Sequence, residues 1–190
     1  RNYFEYGPLA AKQQCIGVMK LVIVSRLEPQ KRVSEILQKL SEASIHTAIK
    51  VDVFGAGSEY ERVKVVSQKI NNIENRNINI ELNGFVPHDL IPLSEYDFSL
   101  HFSDYEGASN SMIESLLNGI PLLCSEHHVE EVDFLVPDEN CFVCDIDQIT
   151  SKLSEISRWQ SKVSREKVRQ VTLMKLELHP LMHEVILQDI

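Results

Sequence analysis

Two carboxylates, Glu106 and Glu114, stand eight positions apart in "SDYEGASNSMIESLLNG", residues 103–119. A carboxylate accepts hydrogen bonds well from vicinal hydroxyls. The small polar run between the two acids leads into a helix starting near Asn110. The first free amides of such a helix favour an anion, typically a phosphate. The stretch therefore suits a ligand with hydroxyls, then phosphate, then hydroxyls. The plainer alternative is that Glu114 complements the helix dipole and Glu106 is a solvated loop acid. A second group lies in "SRLEPQKR", residues 25–32. Lys31 and Arg32 fall at a helix start, where cations oppose the dipole, and an anionic ligand would offset that cost. Arg26 by a two-pronged contact and Lys31 as a point charge can neutralise a diphosphate without a metal. The alternative there is a solvated basic loop.

The elements that must hold these residues follow a regular rhythm. Continuous apolar runs, as in strands buried on both faces, occur at "KLVIVS", "KVDVFG", "INIELNG", "DFSLHFS", "IPLLCS" and "NCFVCD". Helical spacing falls between them, at "KRVSEILQKLSEA", "SEYERVKVVSQKI", "NSMIESLLNG", "VEEVDFLV" and "DQITSKLSEISRW". "HDLIPLSEY" reads as a short helix or turn. Ser58 is placed to cap the second helix, and Gly119 to close the one after the acids. Strands alternating with helices, without hairpin signals, predict a doubly wound parallel α/β sheet of about six strands. Ligands of such sheets lie beyond the carboxyl ends of the strands, where Arg26 and Glu106 both fall. Residues 1–19 read as a linker or extension, and 20–190 as one Rossmann-like domain with a helical tail.

Composition sets the outer bounds. The 190 residues are 43% hydrophobic and 25% charged, as in an ordinary globular domain. With 28 acids against 19 Lys plus Arg, the net charge of −9 argues against a nucleic-acid partner. The four cysteines suggest no disulfide framework, and a domain this size needs none. No apolar run reaches the roughly 18 residues of a membrane span. The expected location is cytoplasmic, peripheral at the inner face of the membrane if attached at all. The start at Arg1 reads as the C-terminal part of a longer chain.

"VSRLEPQKRVSEIL", "VFGAGSEYERV", "IELNGFV", "HFSDYEGASNSMIESLLNGIPLL" and "DENCFVCD" occur in that order and spacing. Together they resemble the C-terminal, donor-binding half of retaining GT-B glycosyltransferases of the family 4 type, also termed glycosyl transferases group 1. The resemblance runs from about Lys20 to Arg158. It implies that Glu106 and Glu114 are the family's E-x7-E pair, and Arg26 and Lys31 its diphosphate cations. Arg26, Lys31 and Glu106 would be the catalytic residues. Glu106 would hold the donor sugar and Glu114 the ribose. The amides of Ala108, Ser109 and Asn110 would face the phosphate and sugar. Gly84, Phe85 and Val86 would read the base, with Leu90 packing nearby. The implied substrate is a nucleotide-diphosphate sugar. No cofactor or metal is expected, and a glycan or lipid-linked acceptor would bind through an N-terminal domain outside these residues. A non-catalytic accessory subunit and a sugar-nucleotide epimerase are the other readings of this architecture. The "EGASNSMIE" helix start favours the transferase.

Ala108 and Ser109 stand where the family usually has a bulky residue followed by Gly or Pro, which opens the choice of donor sugar. "SEHHVEE" replaces its Gly-Gly loop, and His127 and His128 read as loop residues. "GAG" at 55–57 lacks the third glycine of a dinucleotide fingerprint and follows the second strand rather than the first. In "DID", Asp145 or Asp147 reads as a helix cap rather than a metal ligand. Cys141 and Cys144, three apart on a strand, should point to opposite faces.

Overall fold

The computed structural model describes residues 9, 17–42, 48–74, 77–105 and 107–177. Six strands alternate with helices: β1 (Val18–Val24), α1 (Val33–Ser41), β2 (Ala48–Phe54), α2 (Tyr60–Asn71), β3 (Ile78–Gly84), β4 (Phe98–His101), α3 (Asn110–Leu117), β5 (Leu122–Cys124), α4 (Glu126–Glu131), β6 (Cys141–Val143), α5 (Ile149–Gln160) and α6 (Arg165–Glu177). The strands form one sheet in the order β3-β2-β1-β4-β5-β6, and every pairing is parallel. This is the doubly wound architecture expected from the alternation of apolar runs.

Alternate residues of each strand serve two layers. Leu21, Ile23, Val51, Val53, Phe98, Leu100 and Leu123 pack with α1, α2 and α5 through Ile36, Leu37, Val63 and Leu153. Leu37 is fully enclosed, so truncation to Ala would cost about 2–5 kcal/mol. Trp159 closes this layer, stacked on Phe98 and edge-on to Phe142, each at 5.8 Å between ring centres. The opposite face is divided. Leu122, Cys124 and Cys141 pack under α3 and α6, whereas Val22, Val24 and Phe54 pack under Ile91, Leu93 and Tyr96. Cys141 and Cys144 indeed lie in different layers.

β1 pairs with β2 over its full length, Val18↔Ala48 to Val24↔Phe54. It pairs with β4 only at Leu21↔Phe98 and Val22↔Ser99. The chain order reverses between β1 and β4, and a crevice opens beyond their carboxyl ends, the usual ligand position in such sheets.

Some local expectations need correction. α2 begins at Tyr60, with Glu59 at the N-cap position and no side-chain cap. Ser58 instead donates its hydroxyl to Glu28 Oε2 at 2.6 Å, a tertiary partner invisible to local spacing. Between β3 and β4 the chain makes two 3-10 turns, His88–Leu90 and Leu93–Glu95, each preceded by a proline. Pro92 has no amide to continue a helix. α4 lies earlier than the periodicity suggests, at Glu126–Glu131, so His127 and His128 are helical rather than loop residues. Asp145 takes the N-cap position of a 3-10 turn, Ile146–Gln148, that leads into α5, whose own N-cap is Gln148, while Asp147 pairs with Lys39 at 2.8 Å. Beyond α6, the expected helical tail lies outside the described residues.

Candidate functional site

A cavity of about 360 Å³ opens in the crevice. The segment after β1 contributes Arg26 and Lys31, and the turn after β2 contributes Gly55 and Ala56. Phe85, Val86 and His88 follow β3, and Ser109, Asn110 and Ser111 begin α3. Of the residues singled out in the sequence, the fold thus brings Arg26, Lys31, Phe85, Val86, Ser109 and Asn110 to one cavity. Gly84 immediately precedes its Phe85 wall. Ala108 is exposed one residue before the Ser109 cap. Leu90 does not line the cavity; it is 68% exposed on the 3-10 turn beyond. Glu106 lies outside the described residues.

The walls are held by backbone bonds between neighbouring loops. Ser25 N donates to Phe54 O at 3.1 Å, Leu27 N to Ala56 O at 2.9 Å, and Gly55 N to Gly84 O at 2.7 Å. The loop after β4 is tied in by Asp104 N donating to Gln30 O at 2.9 Å. These bonds require close approach. A Cβ on Gly55 would lie 1.8 Å from the Ser25 carbonyl oxygen, and one on Gly57 would lie 2.4 Å from that of Leu27. The two glycines of "GAG" therefore let the second loop seat against the one carrying Arg26.

α3 aims its N-terminus at the cavity. Ser109 is its N-cap, with an extended backbone, and its hydroxyl oxygen accepts from Met112 N at 3.4 Å. The free amides of that first turn and the two cations on the facing loop make one anion-binding setting. Glu114, a turn further in, is only 8% exposed. Its Oε2 lies against Nδ1 of His88, a residue of the cavity wall.

Two features diverge from the sequence reading. Arg32 is the N-cap residue of α1, with φ +52°. Its guanidinium makes a two-pronged bond to Glu35, Nε to Oε2 at 2.8 Å and a terminal nitrogen to Oε1 at 2.7 Å. It also pairs with Asp104 at 3.5 Å. Glu35 thus offsets the unfavourable cation at this helix start, with no ligand required. The bond to Arg32 holds the Glu35 carboxyl below its usual range.

Behind the cavity lies a histidine–serine network. His128 is fully buried, its Nε2 2.8 Å from Ser103 Oγ and its Nδ1 2.8 Å from Ser125 Oγ. Ser125 Oγ is also 2.9 Å from His127 Nδ1, and His101 Nε2 is 2.9 Å from Ser99 Oγ. Burial, then the charges of neighbouring groups including Lys31, pushes His101 down to about 3 and His128 to about 4. Lys31 therefore backs onto imidazoles kept neutral. The available signal was the serine that ends or follows each strand, Ser103 and Ser125, but pairing them with histidines requires the β4–β5 register.

The glycosyl transferases group 1 family profile matches residues 17–170, most of the chain. The chain belongs to the glycosyl transferases group 1 family. Four of the five segments that resembled it in the sequence contribute to the cavity of this group 1 domain, while "DENCFVCD" forms the edge strand β6. Among curated proteins it is 25% identical over 136 residues to a poly(ribitol-phosphate) alpha-N-acetylglucosaminyltransferase of Staphylococcus aureus. That match takes in 70% of this chain and 26% of the relative, so the chain spans about a quarter of that protein's length. The C-terminal domain of a group 1 glycosyl transferase, LpcC of Francisella tularensis, superposes with TM-score 0.67 at 18% identity. The superposition covers 85% of this chain and 87% of that one. Anabaena HepE, solved with UDP and glucose, superposes with TM-score 0.64 at 16% identity over 84% of this chain and 44% of HepE. These structures share the fold of this domain. Among the described residues no helix is long and apolar enough to cross a membrane.

Proposed function

We propose that this group 1 domain is the donor half of a retaining, family 4 type glycosyltransferase and binds a nucleotide-diphosphate sugar in the β1/β4 crevice. One observation carries the reading: Arg26 and Lys31 face the N-terminus of α3 across a single cavity, with Phe85 and Val86 at its rim. The diphosphate lies between the cations and the α3 amides. Arg26 grips it by two parallel bonds, Lys31 adds a point charge, and no metal is assigned a role. The base lies against the Phe85–Val86 segment, the ribose hydroxyls at Glu114, and the donor sugar towards Ala108, with Glu106 assigned to the sugar hydroxyls by the family's paired-glutamate pattern. The N-acetylglucosaminyl transfer named for the Staphylococcus relative, and the UDP and glucose in HepE, agree with this division of the ligand.

Chemistry follows from that placement. The bond from the anomeric carbon to the diphosphate oxygen breaks, and its electron pair leaves on the phosphate. The cations and amides stand where that charge develops, which is preorganised electrostatic stabilisation. An acceptor hydroxyl takes the vacated position on the same face of the sugar and passes its proton to the departing diphosphate oxygen as the new bond forms. A second domain supplies the acceptor, a glycan or lipid-linked glycan, so this chain alone binds donor and transfers nothing. Such a protein works in the cytoplasm, at the inner face of the membrane when its acceptor is lipid-linked.

Calorimetric titration with UDP, GDP and ADP tests the reading. One of them should bind, and Arg26→Ala should weaken it about tenfold or more, as for a lost charge-assisted hydrogen bond, without changing the melting temperature. Failure of all three to bind the native chain would overturn the donor-site assignment.

A further inference from the structure

Glu114 does not stand alone. It is a carboxylate 8% exposed, in the second turn of α3, and its Oε2 lies against His88 Nδ1. A charge removed that far from water needs a fixed polar neighbour to set its orientation. His88 is well placed for this. It opens the 3-10 turn His88–Leu90, in which Leu90 N donates to Pro87 O at 2.9 Å and Ile91 N to His88 O at 3.2 Å. Ile91 anchors the end of that turn in the core beneath. Val86, two residues before His88, packs against the same cluster and lines the cavity. The histidine therefore sits on a short, doubly tethered segment. It belongs to the cavity wall while touching a carboxylate on a different element. The contact spans the crevice, from the base side of the cavity to α3.

We propose that His88 is the positioning residue for Glu114, and that the pair, rather than the glutamate alone, makes the cavity selective for a ribose over a deoxyribose. This rests on the donor-site reading above. Without the imidazole, the Glu114 carboxylate loses the neighbour set against Oε2, and its hydroxyl-accepting direction shifts. A hydrogen bond to an ionised acceptor weakens steeply as the angle departs from linear. His88 thus acts on the hydroxyls through the carboxylate and contributes little to the grip on the diphosphate, which belongs to Arg26 and Lys31.

The test is a thermodynamic cycle between side chain and ligand hydroxyl. The full chain is titrated calorimetrically with the ribonucleoside diphosphate that binds it, and with the 2′-deoxy and 3′-deoxy forms of that nucleotide. The native protein should prefer the ribonucleotide over at least one deoxy form by about tenfold or more. In His88→Ala the preference should fall to about threefold or less, with affinity for that deoxy form changed by less than about twofold. Glu114→Gln should abolish the preference in the same way. His88→Asn, which can return a donor near the Nδ1 position, should recover part of it. A merely structural histidine would weaken all three nucleotides alike, so an unchanged preference in His88→Ala refutes the proposal while leaving the donor site intact. A native protein that binds the nucleotide but shows no preference also refutes it. Absence of binding by the native chain overturns the donor-site reading, and this inference falls with it.

Discussion

The sharpest test of how the crevice is built is Gly55→Ala. A Cβ there would stand 1.8 Å from the Ser25 carbonyl oxygen and 3.0 Å from its carbonyl carbon, at a backbone φ of +149°. Neither neighbour can give way cheaply. Ser25 N is bonded to Phe54 O, Leu27 N to Ala56 O, and the Leu27 side chain is fully buried. Backbone strain of this kind costs about 1–3 kcal/mol, and overpacking against fixed atoms about 1–3 kcal/mol more. The combined loss, about 2–6 kcal/mol, is a large part of the roughly 5–15 kcal/mol that stabilises a domain. It corresponds to a fall in melting temperature of about 5–20 °C at this size. Gly84→Ala is the matched control: its φ is +65°, but nothing lies within 4 Å of the added methyl. Only the conformational term remains there, about 1–2 kcal/mol. Urea unfolding followed by circular dichroism should therefore show at least twice the loss for Gly55→Ala. Nucleotide affinity should fall with it, because the displaced loop carries Arg26. Equal losses in the two variants would refute the claim that loop-to-loop proximity, rather than φ alone, dictates this glycine.

Acid should weaken the fold through the buried histidines. His101 and His128 titrate near 3 and 4 in the native protein, below the ordinary 6.5. The unfolded chain thus takes up their protons first, and their contribution is complete above about pH 6.5 and lost as the pH falls towards 4. Between pH 7 and 5 stability should drop by at most about 1.4 kcal/mol per pH unit for each proton. His128→Gln should flatten that slope in urea titrations, and an unchanged slope would contradict the neutral buried network. Glu28, Glu35 and Asp147, whose pKa values are lowered, lose their contribution only below about pH 4.5. Cys124, Cys141 and Cys144 are buried, with the Cys124 thiol raised well above its usual range by Cys141 and burial, and Cys144 raised to about 12 by burial. None of these three should react with a thiol reagent at pH 8 before unfolding. Mass spectrometry of labelled peptides would detect any that does.

Much of this protein is written in local patterns. β3 occupies the full span of "INIELNG", and α3 begins at Asn110, because continuous apolar runs, caps and turn glycines act within a few residues. The same locality places Arg26 and Asn110 at strand and helix ends, and parallel topology sends those ends to one side of the sheet. Register and partners are another matter. Whether Ser58 caps its own helix or bonds Glu28, thirty residues away, depends on how two loops meet. Arg32 and Lys31 are neighbours in sequence, yet Glu35 claims the first while the second lines the cavity.

Composition and spacing by themselves determined the layer architecture, the ligand side of the sheet and the strand-end position of the cations Arg26 and Lys31, since each follows from short-range sterics and the two periodicities of side-chain burial. Tertiary structure alone decided which of those groups are already spoken for. Leu90 is left exposed on a proline-bounded turn, His128 is buried between two strand-end serines, and Glu114 is set against His88 from across the crevice. Such choices depend on side-chain geometry between elements far apart in the chain, where a shift of about one ångström makes or breaks a hydrogen bond, and no local pattern of residues carries that information.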